Sequence, residues 1–104
     1  MHKSLPAASL HVVLALLGGE KHGYALMQDV EELSDGSVKM GPGTLYGTLN
    51  RLVDDGLIEE TRQEDRRRYY QLTAQGERVA SAELARLQTL VKRVQARGFQ
   101  LGTA

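Results

Sequence analysis

The sequence contains no cysteine, no tryptophan, only two prolines, and only one Phe and four Tyr. The absence of cysteine excludes disulfide bonds, thiol catalysis and cysteine-ligated zinc, and it fits an intracellular protein. The apolar run at residues 12–17 has six residues, whereas a membrane-spanning helix needs about 20. Lys3 and this short run also match a signal peptide poorly. We therefore expect a cytoplasmic protein that does not enter a membrane.

A net charge is also lacking, because 13 Lys and Arg balance 13 Asp and Glu across 104 residues. The whole molecule therefore offers no net attraction to a polyanion. The charges are unevenly distributed: residues 1–60 hold four basic and nine acidic side chains, and residues 61–104 hold nine and four. A polyanion should therefore contact the second half. The length, the 41% hydrophobic content and the 25% charged content favour one globular domain with a packed core.

Helical spacing of apolar residues, followed by a two-residue alternation, predicts four helices and one hairpin. The helices are predicted over residues 7–17, 23–33, 42–53 and 74–96, with a short extended piece at 38–40 and strands at 58–63 and 68–72. Pro42 suits the first position of the third helix, Thr73 is the expected N-cap of the last helix, and Gly98 is its expected stop. The predicted fold class is therefore mainly α with a small β-hairpin.

Three short helices followed by a two-stranded hairpin form the layout of a winged helix-turn-helix domain. In that layout the third helix enters the DNA major groove, and the hairpin reaches adjacent phosphates or the minor groove. Residues 1–72 are expected to form this domain, residues 73–97 a long C-terminal dimerisation helix, and residues 98–104 a flexible tail. Layout alone does not decide the function, because other small α+β domains share this order of elements.

Two segments of the sequence resemble the PadR family of bacterial transcriptional regulators. They are HGYAL at residues 22–26 and GTLYGTLNRLVDDGLIEETRQEDRRRYYQLTAQG at residues 43–76. The family pattern runs approximately HGY, then GTLYP-x-L-x-RLE-x-x-GLI, a wing of variable length, and R-K/R-YY-x-LT-x-x-G. Gly47 stands where the family often has Pro, and Val53 where it often has Glu. The resemblance implies a compact, homodimeric DNA-binding regulator, usually a repressor relieved by a small molecule.

The third helix is predicted to carry the residues that contact bases. With Leu45, Leu49 and Leu52 facing inward, its outer face would present short polar side chains and one long base. Short side chains let a helix enter the groove closely, Asn50 can bond adenine, and Arg51 can bond guanine or a phosphate. The predicted DNA-binding residues of this helix are Thr44, Tyr46, Gly47, Thr48, Asn50 and Arg51. The alternatives are a merely solvated face and, for the tyrosine, a half-buried core position.

The hairpin contains the densest positive charge of the sequence, Arg66-Arg67-Arg68, beside Glu64 and Asp65. Such a tip suits contact with phosphates and the minor groove, and the two carboxylates weaken its field. Two adjacent tyrosines follow, and strand alternation places them on opposite faces, one packed inward and one reaching a phosphate. The predicted DNA-binding residues of the hairpin are Arg66, Arg67, Arg68 and Tyr69. A solvated charged loop is the alternative, and the third arginine either belongs to the tip or lies across the domain.

The last helix is predicted to pair with a second copy of the chain. Its apolar residues recur at spacings of four and three, which makes a two-heptad seam that needs further cover. The first helix, apolar on more than one face, is the available cover. The predicted interface comprises Val13, Leu17, Ala80, Leu84, Leu87, Val91 and Val94. In the alternative, the last helix folds back on its own domain. A cavity between two copies is the expected place for a small apolar effector.

Other functional classes are less favoured. His2, His11 and His22 accompany no nucleophile motif, no phosphate-binding glycine loop and no HExxH motif, so we expect no enzyme, no metal site and no cofactor. His22 is instead expected in the turn into the second helix. The expected partners are a double-stranded, palindromic DNA operator and a second copy of the chain. The alternative is a winged-helix protein-interaction module that does not bind DNA, which the neutral net charge favours.

Overall fold

The structure, a computed structural model, describes residues 5–99 of the chain. Within these residues the chain forms four α-helices and a three-stranded antiparallel sheet. The helices are α1 (Ala7–Ala15), which continues into a 3₁₀ turn (Leu16–Gly18), α2 (Gly23–Leu33), α3 (Pro42–Asp54) and α4 (Ala74–Ala96). The strands are β1 (Lys21–His22), β2 (Ile58–Glu64) and β3 (Arg67–Leu72). The mainly α class with a small hairpin is confirmed. The predicted tail at residues 98–104 lies, beyond Phe99, outside the described residues.

The sheet contains one strand that the sequence did not predict. β1 pairs with β3, the middle strand in the order β1-β3-β2. Lys21 lies opposite Tyr70, and His22 lies opposite Tyr69. Two residues are too few to show an alternation of apolar and polar side chains, so the sequence held no periodic signal for this strand. The pairing joins the β2–β3 hairpin, called the wing below, to the start of α2.

The wing closes through the two-residue turn Asp65-Arg66, and its strands extend closer to the turn than the predicted ranges 58–63 and 68–72. Asp65 and Arg66 both have positive φ angles, 52° and 64°, which is the left-handed geometry of a type I′ hairpin turn. Such a turn follows the right-handed twist of the strands, and pairing continues up to Glu64 opposite Arg67. The extended piece predicted at residues 38–40 lies outside the sheet, and Met40 is buried in the core instead.

The core lies between the first three helices and one face of the sheet. Leu45, Leu49 and Leu52 of α3 are buried as predicted. They pack in one cluster with other apolar side chains, which include Val12, Val13, Leu16, Leu26, Val30, Ile58, Tyr70 and Leu72. Burying one Leu or Val side chain contributes about 1.5–3 kcal/mol. These contacts therefore decide which side of α3 faces solvent.

Thr73 begins α4 and is the N-cap that the sequence predicted. Its Oγ1 accepts a hydrogen bond from the Gly76 N–H at 3.0 Å and donates one to the Gly56 carbonyl oxygen at 2.6 Å. The first bond satisfies one of the N–H groups that a helix start leaves free, and the second joins the start of α4 to the loop after α3. None of the helices within residues 5–99 combines the length and the apolar content that a membrane-spanning helix requires.

The first half of α4 packs on its own domain and the second half does not. Ala80 and Glu83 are buried, whereas no residue of α4 from Leu84 onward is buried. Ala80 and Val13 have no exposed surface, so their prediction as dimer-interface residues is wrong. The physical reason is that both lie on inward faces of their helices, within the core of their own chain. The remaining predicted interface residues, Leu17, Leu84, Leu87, Val91 and Val94, are exposed or half-buried.

Gly76 is a position where an added methyl group would clash with the backbone. A Cβ there would lie 1.9 Å from the Leu57 carbonyl oxygen and 3.1 Å from Leu72 Cδ2. We expect Gly76→Ala to lower the free energy of unfolding by about 1–3 kcal/mol or more, because the start of α4 must move away.

Gly47→Ala is the matched control for this prediction. No atom lies within 4 Å of a Cβ built there, and Ala is favoured over Gly inside a helix by roughly 0.5–1 kcal/mol. Urea unfolding should therefore shift in opposite directions for the two variants. Shifts of the same sign would contradict the packing described at Gly76.

Candidate nucleic-acid interface

The outer side of α3 presents a polar surface opposite the buried leucines. The exposed residues of this surface are Thr44, Tyr46, Gly47, Asn50 and Arg51. Within residues 5–99, Arg51 has no ion-pair partner. Its guanidinium group is therefore available to an external acceptor. Asn50 beside it is also exposed, so an amide and a guanidinium group are presented by consecutive residues.

Thr48 is wrong as a predicted DNA contact, because only 7% of its surface is exposed. Positions 45, 48, 49 and 52 follow the i, i+3, i+4, i+7 spacing of one helix face. Thr48 therefore lies with Leu45, Leu49 and Leu52 on the inner side of α3. The prediction gave the polarity of threonine more weight than its spacing from the leucines. Five of the six predicted residues of α3 form the exposed surface.

Tyr46 belongs to the exposed surface of α3 and its ring also packs against α2, so both possibilities that the sequence left open remain. Its side chain is 39% exposed. A Cβ built at Gly23 would lie 2.7 Å from the Tyr46 hydroxyl oxygen and 3.2 Å from its Cζ atom. The ring therefore packs against the first residue of α2, and a larger residue at position 23 would displace it. This contact fixes the phenol where α2 and α3 meet.

The strand register divides the wing into two faces. On one face Arg62 lies opposite Tyr69 and Glu64 opposite Arg67; on the other Glu60 lies opposite Tyr70 and Gln63 opposite Arg68. Tyr70 is buried and Tyr69 half-buried, so the adjacent tyrosines do face opposite sides, as predicted. Burial raises the pKa of the Tyr70 phenol above its ordinary value, and a hydrogen bond from Arg68 offsets part of this rise. The phenol is therefore neutral in the folded protein at physiological pH.

The three consecutive arginines of the wing differ in their surroundings. Arg66 lies in the exposed turn, and Arg67 is exposed with one guanidinium nitrogen 3.4 Å from His22 Nε2. Neither has an ion-pair partner within residues 5–99. Arg68 lies on the face of the buried Tyr70, with Nε 3.6 Å from a Glu60 carboxylate oxygen. Two of the three arginines are therefore free to contact an anion, and the third is partly neutralised.

Tyr69 is held by two neighbours. The guanidinium carbon of Arg62 lies 4.0 Å from the centre of the Tyr69 ring. The His22 ring meets the same tyrosine edge-on, with ring centres 5.5 Å apart and planes at 86°. One face of the Tyr69 ring, which the sequence predicts to contact DNA, is therefore covered within the chain.

His22 performs the local role expected from the sequence. It is the N-cap of α2, because its Nδ1 accepts a hydrogen bond from the Ala25 N–H at 3.3 Å. Two further residues near it, Glu20 and Arg62, did not emerge from the sequence. Glu20 precedes the unpredicted strand β1, and Arg62 follows a shift in strand register. Their proximity depends on pairing between segments about 40 residues apart, for which alternation carries no signal.

Glu20 accepts two hydrogen bonds from the wing. Thr61 Oγ1 donates to one carboxylate oxygen at 2.5 Å, and Arg62 Nε donates to the other at 3.0 Å. These bonds, with the Thr61 bond as the largest cause, hold the pKa of Glu20 below its ordinary value. Arg62 also pairs with Glu64. A cluster of one guanidinium group and two carboxylates therefore lies along the outer half of the wing, between its middle and the turn.

The second half of α4 presents an apolar stripe. Leu84, Leu87, Val91 and Val94 follow one another along it, and Leu90 beside them is 51% exposed. A shallow groove of about 390 Å³ runs along Leu84, Leu87 and Val91. Exposed apolar residues in a contiguous stripe are typical of protein interfaces.

The sequence model of the transcriptional regulator PadR-like family matches residues 13–82. The chain belongs to this family. The two departures from the family pattern, Gly47 and Val53, are both exposed on α3 and leave the core of this PadR-like chain unaffected.

Curated relatives include three proteins at 30–37% identity. The transcriptional regulator Rv3488 of Mycobacterium tuberculosis is 37% identical over 91 residues, which are 85% of the PadR-like chain and 82% of the relative. The transcriptional regulator YqjI of Escherichia coli is 30% identical over 87 residues, 83% of the chain and 42% of the relative. An uncharacterized 37.1 kDa protein in transposon TN4556 of Streptomyces fradiae is 34% identical over 84% of the chain and 25% of its own length. The chain thus spans less than half of the last two relatives.

Solved structures share the fold. RosR of H. salinarum superposes with a TM-score of 0.75 at 24% identity, over 90% of each chain. A PadR family transcription regulator from Clostridium difficile superposes with a TM-score of 0.70 at 21% identity, over 88% of the PadR-like chain and 97% of the other. The likeness confirms the winged helix-turn-helix layout.

Proposed function

We propose that this PadR-family transcriptional regulator represses transcription by binding a palindromic double-stranded operator as a homodimer. The observation that carries the proposal is the division of α3 into a buried leucine face and an exposed face with Asn50 and Arg51. A helix placed in the major groove needs such a face, because base edges are distinguished there by hydrogen bonds. The family supports a regulator that binds DNA.

The exposed face of α3 suits close approach to base edges. Thr44 has a short side chain, and no atom lies within 4 Å of a Cβ built at Gly47. The backbone of α3 is therefore unobstructed at that point. Asn50 offers the amide that pairs with adenine, and Arg51 offers the forked donors that pair with guanine or with a phosphate. Arg51 is the residue for which a measurable base preference is expected.

The wing supplies the contacts that do not depend on the base sequence of the DNA. Arg66 and Arg67 are exposed beside a turn that is held in one geometry by the paired strands. Phosphate contacts by arginine position a protein on the duplex, whereas base contacts specify the sequence. Arg68 and Tyr69 contribute less in this proposal, because Glu60 neutralises the first and Arg62 covers the second.

The apolar stripe of α4 forms the dimer interface in this proposal. Pairing of two copies through Leu84, Leu87 and Val91 would cover the apolar residues that the chain itself leaves exposed, with Leu17 as additional cover. A two-fold dimer presents two α3 helices to two half-sites about 34–36 Å apart, which is why the operator is a palindrome. Closure of the groove along Leu84, Leu87 and Val91 between two copies would also form the cavity in which a small apolar effector binds.

The direct test is a gel shift with the DNA upstream of the chain's own gene. The labelled duplex should be retarded by nanomolar to micromolar protein. The protein–DNA complex should persist in an excess of random-sequence competitor DNA. Binding that is equal for the upstream and random duplexes at raised salt would exclude a specific operator in that DNA. Complete absence of DNA binding would favour the protein-interaction module, for which the neutral net charge is the supporting observation.

Arg51→Ala tests base recognition. We expect a loss of about 1–3 kcal/mol in operator affinity and a relaxed preference at one base pair, because a forked contact to guanine is removed. Arg97→Ala is the matched control, since it removes the same charge beyond the end of α4. Equal losses on operator and random DNA would mean that Arg51 binds only a phosphate.

The double variant Arg66→Ala/Arg67→Ala tests the wing. Each arginine that neutralises a phosphate contributes about 0.9 to the slope of log K against log salt, so the slope should become shallower by nearly two. Preference for the operator over random DNA should survive. Asp65→Asn is the opposite control, because removing its charge should strengthen binding. An unchanged slope in the double variant would place the wing tip away from DNA.

Leu87→Glu tests the dimer. Two carboxylates would face each other across the two-fold axis, so sedimentation should show a monomer at concentrations where the wild type is a dimer. Thr89→Glu is the matched control, since two residues along a helix turn the side chain roughly 200° away. Far-UV circular dichroism should remain native for both variants, because neither side chain is buried in the monomer. A native dimer with Glu at position 87 would contradict the interface.

A further inference from the structure

The cluster of Glu20, Arg62 and Glu64 links two parts of the chain that are distant in sequence. Glu20 lies between the 3₁₀ turn and β1, on the helical part of the domain, and its partners Thr61 and Arg62 lie in β2. Both oxygens of the Glu20 carboxylate are used, one by the Thr61 hydroxyl and one by the Arg62 guanidinium group. The two bonds therefore constrain the position and the orientation of β2 relative to the helices.

A strand irregularity makes this arrangement possible. Consecutive strand residues normally point to opposite faces, yet Thr61 and Arg62 contact the same carboxylate. The pairing with β3 shifts between Glu60 and Arg62, so Thr61 lies at a bulge. Bulges redirect side chains in this way and bend the strand. The bend and the bonds to Glu20 occur at the same point of the wing.

A second line of contacts runs from Arg62 to α2. Arg62 stacks on the Tyr69 ring, Tyr69 meets the His22 ring edge-on, and His22 caps α2 through the Ala25 N–H. His22 and Tyr69 are also paired across β1 and β3. The middle of the wing is thus joined to the start of α2 through side chains as well as through the two-residue strand.

The charge of Arg62 is already balanced within the chain. Its guanidinium group pairs with Glu20 and with Glu64. Arg66 and Arg67, in contrast, have no ion-pair partner within the described residues 5–99. Arg62 therefore differs in role from the arginines at the tip, although all of them belong to the same hairpin.

We infer that Glu20, Arg62 and Tyr69 are positioning residues, which hold the wing at a fixed angle to α2 so that Arg66 and Arg67 are presented to the DNA backbone. The inference rests on the proposed function for its consequence in DNA binding, but the fixed angle is a property of the free protein. It predicts that an acidic residue, Glu20, supports the binding of a polyanion. Simple electrostatics predicts the reverse, because removing a carboxylate near DNA lowers repulsion.

The first experiment measures the wing without DNA. The chain has no cysteine, so Gln63→Cys gives one exposed site near the tip for a nitroxide label. We expect Glu20→Gln and Arg62→Gln to increase the mobility of the label in its electron paramagnetic resonance spectrum. Glu32→Gln is the matched control: it removes the same charge as Glu20→Gln from an exposed residue of α2 that has no ion-pair partner within residues 5–99, and it should leave the label unchanged.

Unchanged label mobility in the folded Glu20→Gln and Arg62→Gln variants would overturn the inference. Circular dichroism and thermal unfolding identify the folded variants. If Arg62→Gln does not fold, Arg62→Lys replaces it in the label experiment. Lysine retains the charge but lacks the planar group that stacks on Tyr69 and forms two directed bonds. Increased mobility in Arg62→Lys supports the inference, and wild-type mobility contradicts it.

The second experiment measures operator binding as a charge-balanced cycle. We expect Glu20→Gln and Arg62→Gln each to weaken binding roughly 3- to 10-fold, which corresponds to the loss of one stacked and ion-paired contact. The double variant Glu20→Gln/Arg62→Gln has the net charge of the wild type and should bind as weakly as the single variants. The salt slope should stay at the wild-type value, because Arg62 neutralises no phosphate.

The cycle has a distinct outcome if charge alone matters. Glu20→Gln would then bind more tightly, Arg62→Gln more weakly, and the double variant like the wild type, and this pattern would overturn the inference. A salt slope shallower by about 0.9 in Arg62→Gln would make Arg62 a phosphate contact instead. If the wild type binds no DNA, the proposed function fails, whereas the label experiment still decides whether these residues fix the wing.

Discussion

The packing of Leu45, Leu49 and Leu52 against the other helices and the sheet is the interaction on which the rest of the structure depends. The side chains of a helix point in directions fixed by its period, so burying these leucines leaves Asn50 and Arg51 exposed to solvent. The same constraint includes Thr48 in the buried face, although it is polar. The surface proposed to contact DNA is therefore a consequence of the core, and changes in the core would rotate it.

The helices were predictable because their signals are local. Pro42 and Thr73 begin α3 and α4 where the sequence places them, and apolar spacing marks the buried sides. The strand β1 was not predictable, since two residues show no alternation. Thr48 was assigned to the wrong side because polarity outweighed spacing. The cluster around Glu20 was missed for a different reason: it depends on a register shift at Thr61 and on contacts between distant segments.

The arginines of the wing show why a charge run in a sequence does not measure a binding surface. Arg62 is balanced by two carboxylates, Arg68 lies near Glu60, and only Arg66 and Arg67 lack an ion-pair partner within residues 5–99. The neutral net charge of the chain is therefore compatible with a local positive site. Long-range attraction to DNA would be weak, and binding would depend on how accurately the wing tip is placed. That dependence gives the contacts of Glu20 their importance.

The junction between the domain and α4 would connect the proposed DNA binding to the proposed dimerisation. The Thr73 hydroxyl bonds Gly56 just after α3, and Gly76 lies directly against the Leu57 carbonyl group. These contacts fix the direction in which α4 leaves the domain, and its apolar stripe begins two turns later at Leu84. In a two-fold dimer that direction would set the distance between the two α3 helices, hence the spacing of the half-sites. A looser junction would leave each α3 surface intact and yet weaken operator binding, because two half-sites could no longer be matched at once.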